Sequence, residues 1–330
     1  MTLKILYAAS NSENAKIQLG RFLEAIHDKP YQIKIAAYKK SSPKNINIDW
    51  TLNCLHNIFR PELISLEDND NFITYFNQVK YFDPDLIISD AEYFTSKIAN
   101  MLDITLWQCS SSLINFALSF DEKYNIGLFK KYSYIFNKNP MHTQRMVNIL
   151  DNSNCNFVYS HFGDLNNPPK IKSNFEWIRP YSILGKDYAA CYHNVVGASF
   201  TNNKKILSVL KKIPDSVMFS QFSEESHTNV AMKDISEQEE YFCNLKNSHL
   251  FVCEGQTSFL ADAFYNNKYA VIIPNFNEPE CILNAIFSNH FKLSSTIYSS
   301  ESNIIELMSN KIDCSFNPSI KMLHERLEKI

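Results

Sequence analysis

Short apolar runs without polar alternation recur along this chain, each followed by an amphipathic stretch, and that alternation limits the possible folds more than any other feature. "LKILYAAS" reads as a strand covered on both faces, because a strand with one wet face would alternate apolar and polar residues. After the polar turn "NSEN" comes "AKIQLGRFLEAI", in which Leu19, Phe22, Leu23 and Ile26 share one helix face. "YQIKIAAY" is a second strand. The pattern continues with the helix "NDNFITYFNQVKYF", the strand "DPDLIISD", the helix "AEYFTSKIANMLD" and the strands "ITLWQCS" and "CNFVYSHFG". Strand–helix–strand units of this kind build doubly wound parallel sheets.

The rhythm breaks once. "DLNNPPKIKSNFEWIRPY" is rich in Pro and Asn and has no period, which places an interdomain linker around residues 164–182. Beyond it the alternation resumes, through "DSVMFSQF", "HLFVCEG", "TSFLADAFYNN" and "YAVIIPNF", and ends in the amphipathic "IKMLHERLEKI". The expected fold class is α/β, with two doubly wound parallel-sheet domains facing a cleft. Their expected spans are 1–165 and 183–318, with a C-terminal helix at 319–330 packing back on the first. A chain of 330 residues suits two cores. The net charge of -3 gives no overall basic field to attract nucleic acid. Eight cysteines include no Cys-x-x-Cys pair, and no apolar run approaches the ~20 residues that span a bilayer. The N-terminus enters a strand directly, without a signal-peptide pattern. These features point to reduced thiols and a cytoplasmic protein.

In open parallel sheets, ligands gather beyond the carboxyl ends of the strands. The chain has only 6 glycines, and one, Gly255, stands between the apolar run "HLFVCE" and the helical pattern that Thr257 and Ser258 open. A helix N-terminus has unpaired N–H groups and suits a phosphate, and a glycine before it lets the backbone approach. A second glycine loop, "VVGAS", follows the first expected strand of this half, "DYAACYHN", and carries Gly197 and Ser199. Together the two would hold both phosphates of a diphosphate. The plain alternative for each is an ordinary turn and helix cap.

The stretch from Ser248 to Phe287, "SHLFVCEGQTSFLADAFYNNKYAVIIPNFNEPECILNAIF", resembles the donor-binding segment of GT-B nucleotide-sugar glycosyltransferases. It is closest in style to the macrolide-type enzymes and the transferase that adds N-acetylglucosamine to a lipid-linked precursor. The resemblance implies two Rossmann-like domains and a nucleotide-sugar donor, a UDP-sugar by family habit. It places the donor at Gly255, Gln256, Thr257, Ser258, Glu280 and Asn284, with Glu280 on the donor's sugar or ribose hydroxyls, beside the Gly197 and Ser199 of the second glycine loop. The family's Glu-Ala corresponds to Asp262-Ala263 and its proline to Pro274. The base would lie near Asn229 to Ile235. Two positions depart from the pattern: Glu254 replaces the first glycine and Cys281 the glutamine of a Glu-Gln pair.

Sugar transfer needs a base for the acceptor hydroxyl and something to stabilise the departing diphosphate. Asp90, at the end of "DLIISD", is the first candidate base, and Glu13, in the first strand–helix loop, the second. The alternative for Asp90 is a helix N-cap; for Glu13, a first-turn acid favoured by the helix dipole. His161 and His193 are read as strand ends, His193 as a phosphate contact. The Asp-x-Asp pairs at 68–70 and 83–85 stand in the wrong places for a metal. No metal and no cofactor beyond the donor are expected, and direct attack implies inversion. Lys123, Lys130, Lys131, Lys138 and Arg145 interleave with aromatic residues, an expected acceptor platform if it is not simply a solvated helix face. The acceptor is then a hydroxymethylated DNA base, a lipid-linked sugar or a small molecule. The AT-rich codon bias fits a phage-like source. A non-catalytic nucleotide- or sugar-binding protein and a two-domain nucleotide-sugar epimerase share the same architecture.

Overall fold

A computed structural model describes residues 2–10, 12–38, 46–52, 66–119, 140–182, 193–200, 204–220, 229–276, 278–296, 310, 312 and 320–330. Its described strands form two sheets, and every ladder is parallel. The first holds β1 (Lys4–Ala8), β2 (Gln32–Ala37), β3 (Trp50–Thr51), β4 (Leu86–Ser89), β5 (Thr105–Ser110), β6 (Cys155–Tyr159) and β7 (Glu176–Ile178), in the order β3-β2-β1-β4-β5-β6-β7. The second holds β8 (Val195–Ser199), β9 (Ser216–Ser220), β10 (Val230–Asp234), β11 (Leu250–Cys253), β12 (Ala270–Ile272) and β13 (Ser294–Thr296), in the order β10-β9-β8-β11-β12-β13. Strands β1, β4, β8 and β11 are apolar runs whose residues are nearly all buried, as sheets covered on both faces require.

The first sheet runs past residue 165. Glu176–Ile178, inside the segment read as a linker, pairs with Phe157–Tyr159 as the seventh strand. Three residues are too few to show a period, and Pro and Asn around them mask the strand. The chain's last described helix, Leu323–Leu327, returns to this lobe. Leu323 and Leu327 are buried in one cluster with Ile5, Tyr7, Leu19 and Ile178, and Arg326 pairs with Glu176 at 2.5 Å.

Strand order reverses between β1 and β4 in the first sheet and between β8 and β11 in the second. These are the switch points where open sheets leave a crevice for ligands. A single buried apolar cluster spans both lobes: Leu113, Ile114 and Phe162 from the first share it with Phe264, Ile282 and Phe287 from the second. Among the described residues, no helix is long and apolar enough to cross a membrane.

Candidate functional site

The two switch points are built alike. In the first lobe Ser10, just after β1, donates through Oγ to Asp90 Oδ2 at 2.5 Å. Asp90 follows β4, Ala91 has φ 54°, and Glu92 caps the helix Tyr93–Leu102 by accepting from Phe94 and Thr95 N–H. In the second lobe Ser199, at the end of β8, donates through Oγ to Glu254 Oε1 at 2.7 Å. Glu254 follows β11, Gly255 has φ 99°, and Gln256 occupies the N-cap of the helix Thr257–Tyr265. Each lobe thus runs strand, carboxylate, left-handed residue, cap and helix, with a serine from the neighbouring strand bonded to the carboxylate.

Asp90 does not cap a helix, because Glu92 does. It is 2% exposed. Burial pushes its carboxyl up to about 7, hydrogen bonds from Ser10 and Ser110 oppose that, and the charge of Glu280 adds to it. Glu92 is structural: besides the cap, it accepts from Tyr38 Oη at 2.9 Å. Glu13 is the first residue of the helix after β1, Glu13–Ile26; its side chain lies outside the described residues.

Most of the expected donor residues converge on the start of the Thr257 helix. A Cβ on Gly255 would stand 2.9 Å from the Cys281 carbonyl oxygen and 3.0 Å from Ile272 Cγ2, so position and conformation both demand glycine. Asn284 Nδ2 donates to the Gly255 carbonyl at 2.8 Å and to Thr257 Oγ1 at 3.0 Å. Gln256 Nε2 donates to Glu254 Oε2 at 2.9 Å. Ser258 Oγ, in the first turn, is buried and has no hydrogen-bond partner, and the same holds for Asn284 Oδ1.

The expected phosphate seat is taken by a side chain. Glu280 Oε1 accepts from Thr257 N–H at 3.0 Å and from Asn14 Nδ2 at 3.2 Å, and Glu280 Oε2 accepts from Ser111 Oγ at 2.8 Å. A carboxylate therefore occupies the positive end of the helix dipole and joins it to the other lobe. Burial pushes the Glu280 carboxyl up, against the hydrogen bonds from Thr257 and Ser111.

Other expected residues lie elsewhere. "VVGAS" is the strand β8 rather than a loop, and Gly197 sits within it. A Cβ there would meet Leu210 Cδ1 at 2.5 Å, so this glycine lets the helix Lys204–Leu210 lie close on the sheet. A glycine in an apolar run looks the same in sequence whether it turns the chain or admits a helix. The segment Asn229 to Ile235 holds the edge strand β10, Val230–Asp234. His193 precedes β8, at the amino edge of the sheet, and its Nδ1 lies 2.5 Å from Asn244 Oδ1; phosphate contact at the carboxyl edge is out of its reach. Asp85 accepts from Lys4 N–H at 2.8 Å at the amino end of its sheet. Lys123, Lys130, Lys131, Lys138 and the Arg145 side chain lie outside the described residues.

Further contacts close the crevice. Arg21, 4% exposed, donates to the fully buried Asp262 at 2.8 Å and to the Tyr181 carbonyl at 3.1 Å. Ser182 Oγ donates to the other Asp262 oxygen at 2.6 Å. Tyr265 Oη donates to Asp164. His161 Nε2 lies 3.4 Å from Ser288 Oγ, and its ring stands edge-on to Phe264. None of these contacts left a signal in sequence, because each joins residues more than 75 positions apart.

No protein-family model and no curated protein matches the chain. Solved structures do. The glycosyltransferase SsfS6 of Streptomyces sp. SF2575 is 12% identical, with a TM-score of 0.62, over 93% of this chain and 91% of its own. The calicheamicin glycosyltransferase CalG4 is 12% identical, with a TM-score of 0.60, over 94% and 90%. The spinosyn rhamnosyltransferase SpnG, solved with thymidine diphosphate, is 10% identical, with a TM-score of 0.59, over 93% and 90%. Two facing Rossmann-like lobes, matched over almost the whole length of these chains, give this protein the GT-B fold.

Proposed function

We propose that the chain is a glycosyltransferase that moves a sugar from a nucleoside-diphosphate sugar to a hydroxyl acceptor. The carrying observation is that one side chain, Glu280, touches both the Thr257 amide and Ser111 of the opposite lobe. The start of the donor-side helix thus lies within a side chain's length of the first lobe's strand exits. In this reading the diphosphate sits at the first turn of the Thr257 helix, where Ser258 Oγ and the helix amides meet its charge as the bond to the sugar breaks. Gly255 gives it backbone access, Asn284 holds the turn, and Gln256 and Ser199 complete the wall. Asp90, with its carboxyl near 7, takes the acceptor proton, and Glu13 is the second candidate base. Direct attack inverts the anomeric carbon, and no metal is assigned a role.

SpnG and SsfS6 were each solved with thymidine diphosphate, which supports a pyrimidine nucleoside diphosphate, UDP or TDP, as the leaving group. SpnG was also solved with spinosyn aglycone, which favours a small-molecule acceptor over a hydroxymethylated DNA base or a lipid-linked sugar. The test is a panel of UDP- and TDP-sugars with release of the nucleoside diphosphate as readout. Release from at least one donor is expected. Donor binding without any release would instead favour a non-catalytic binding protein, the reading to which the buried Glu254 beside the seat lends weight.

A further inference from the structure

We infer that Glu280 is a latch: it occupies the seat of a donor phosphate, ties that seat to the opposite lobe, and is displaced when an anion binds. The inference rests on the proposed donor seat and gives Glu280 a different role from contact with the donor's hydroxyls.

Three observations carry it. The first is geometric: one Glu280 oxygen accepts from both Thr257 N–H and Asn14, and the other accepts from Ser111, so a single side chain spans the crevice. The second is chemical. A helix N-terminus binds one anion well, and here the chain supplies its own. The first turn nevertheless keeps unused capacity, since Ser258 Oγ is 1% exposed with no hydrogen-bond partner. A buried hydroxyl without a partner is costly to leave unsatisfied, and an incoming phosphate oxygen would satisfy it. The third is access. Asp90, Thr257 and Ser258 are all buried, so no substrate reaches them until the lobes part. Parting the lobes breaks the Glu280 contacts to Asn14 and Ser111 and frees the carboxylate to leave Thr257. An anion arriving at Thr257 also repels Glu280, so opening and binding support each other.

Two measurements test the latch, on the full chain and on Glu280→Ala. Hydrogen exchange without ligand should show faster exchange at the Thr257 amide and in the segments around Asn14 and Ser111 in the variant; unchanged exchange at all three would overturn the inference. Titration with UDP and with inorganic pyrophosphate should show tighter binding to Glu280→Ala, by roughly 5- to 100-fold. Equal or weaker binding by the variant sinks the latch while leaving glycosyl transfer intact. Conversely, tighter pyrophosphate binding by the variant, together with no turnover of any nucleotide sugar by the unaltered chain, keeps the latch and removes the proposed activity. Should Glu280→Ala fail to fold, Asn14→Ala loosens the same clasp from the other lobe and should tighten UDP binding by a smaller factor; no tightening there counts against the latch equally.

Discussion

Asp90 combines burial, two serine donors and a nearby carboxylate, and each leaves a measurable mark. As the proposed base it would act only when ionised, and its carboxyl is pushed up to about 7. Transfer should therefore be low at pH 6, rise through pH 7 and level off above 8. Asp90→Asn should bind donor with near-normal affinity and lose transfer by roughly 100- to 10,000-fold. Because Glu280 adds to the upward push, Glu280→Gln should move the midpoint of the pH profile down; a midpoint that stays put would separate the two groups. Asp90 was legible in the sequence because it ends an apolar run, and a strand exit is visible in one segment. Its serine partner 80 positions earlier was not. Glu254 stood out only as a departure from a glycine pattern, and its bond to Ser199 required both strands of the switch point to be in place.

At the scale of elements, the turn after β11 is constrained both in conformation and in space. Gly255→Ala meets a backbone carbonyl that cannot move aside and also requires a left-handed alanine. It should cost roughly 2–4 kcal/mol in chemical denaturation. Gly197→Ala presses mainly on a Leu210 methyl, the flexible end of a side chain, and should cost about 1–2 kcal/mol. A larger loss at Gly197 than at Gly255 would reverse this ranking. The alternation of strands and helices was readable because both periods are local properties. Boundaries were less so: β7 is too short for a period, and the glycine in "VVGAS" gives a strand the look of a loop.

At the scale of the whole molecule, the lobes meet through dry polar contacts as well as apolar packing. Arg21→Met leaves the fully buried Asp262 without its cation. It should destabilise by about 3–5 kcal/mol, with Arg21→Met/Asp262→Asn recovering part of that loss. Thermal unfolding of the two variants decides this. His161, whose pKa burial lowers to about 3 from 6.5, sets an acid limit. Between those values the unfolded chain binds a proton that the folded chain refuses, so stability falls as pH falls from 6.5 toward 3. The histidine's share of that fall is ~5 kcal/mol, and His161→Leu should flatten the corresponding part of the stability–pH curve. Sequence reading reached the two-lobed plan, since length and the repeated strand–helix alternation suffice for it, although the Pro- and Asn-rich segment read as the division holds β7. It did not reach the way the lobes are clasped, which depends on side chains far apart in the chain.

The dry ion pair between Arg21 and Asp262 has a kinetic corollary. If substrates enter and products leave by separating the lobes, every cycle must wet and then dry that pair. The rate of turnover then carries a share from the opening stroke beside the bond exchange at the sugar. Above pH 8, where Asp90 is ionised, viscous cosolvents should slow such a catalyst, and loosening the pair should weaken that dependence.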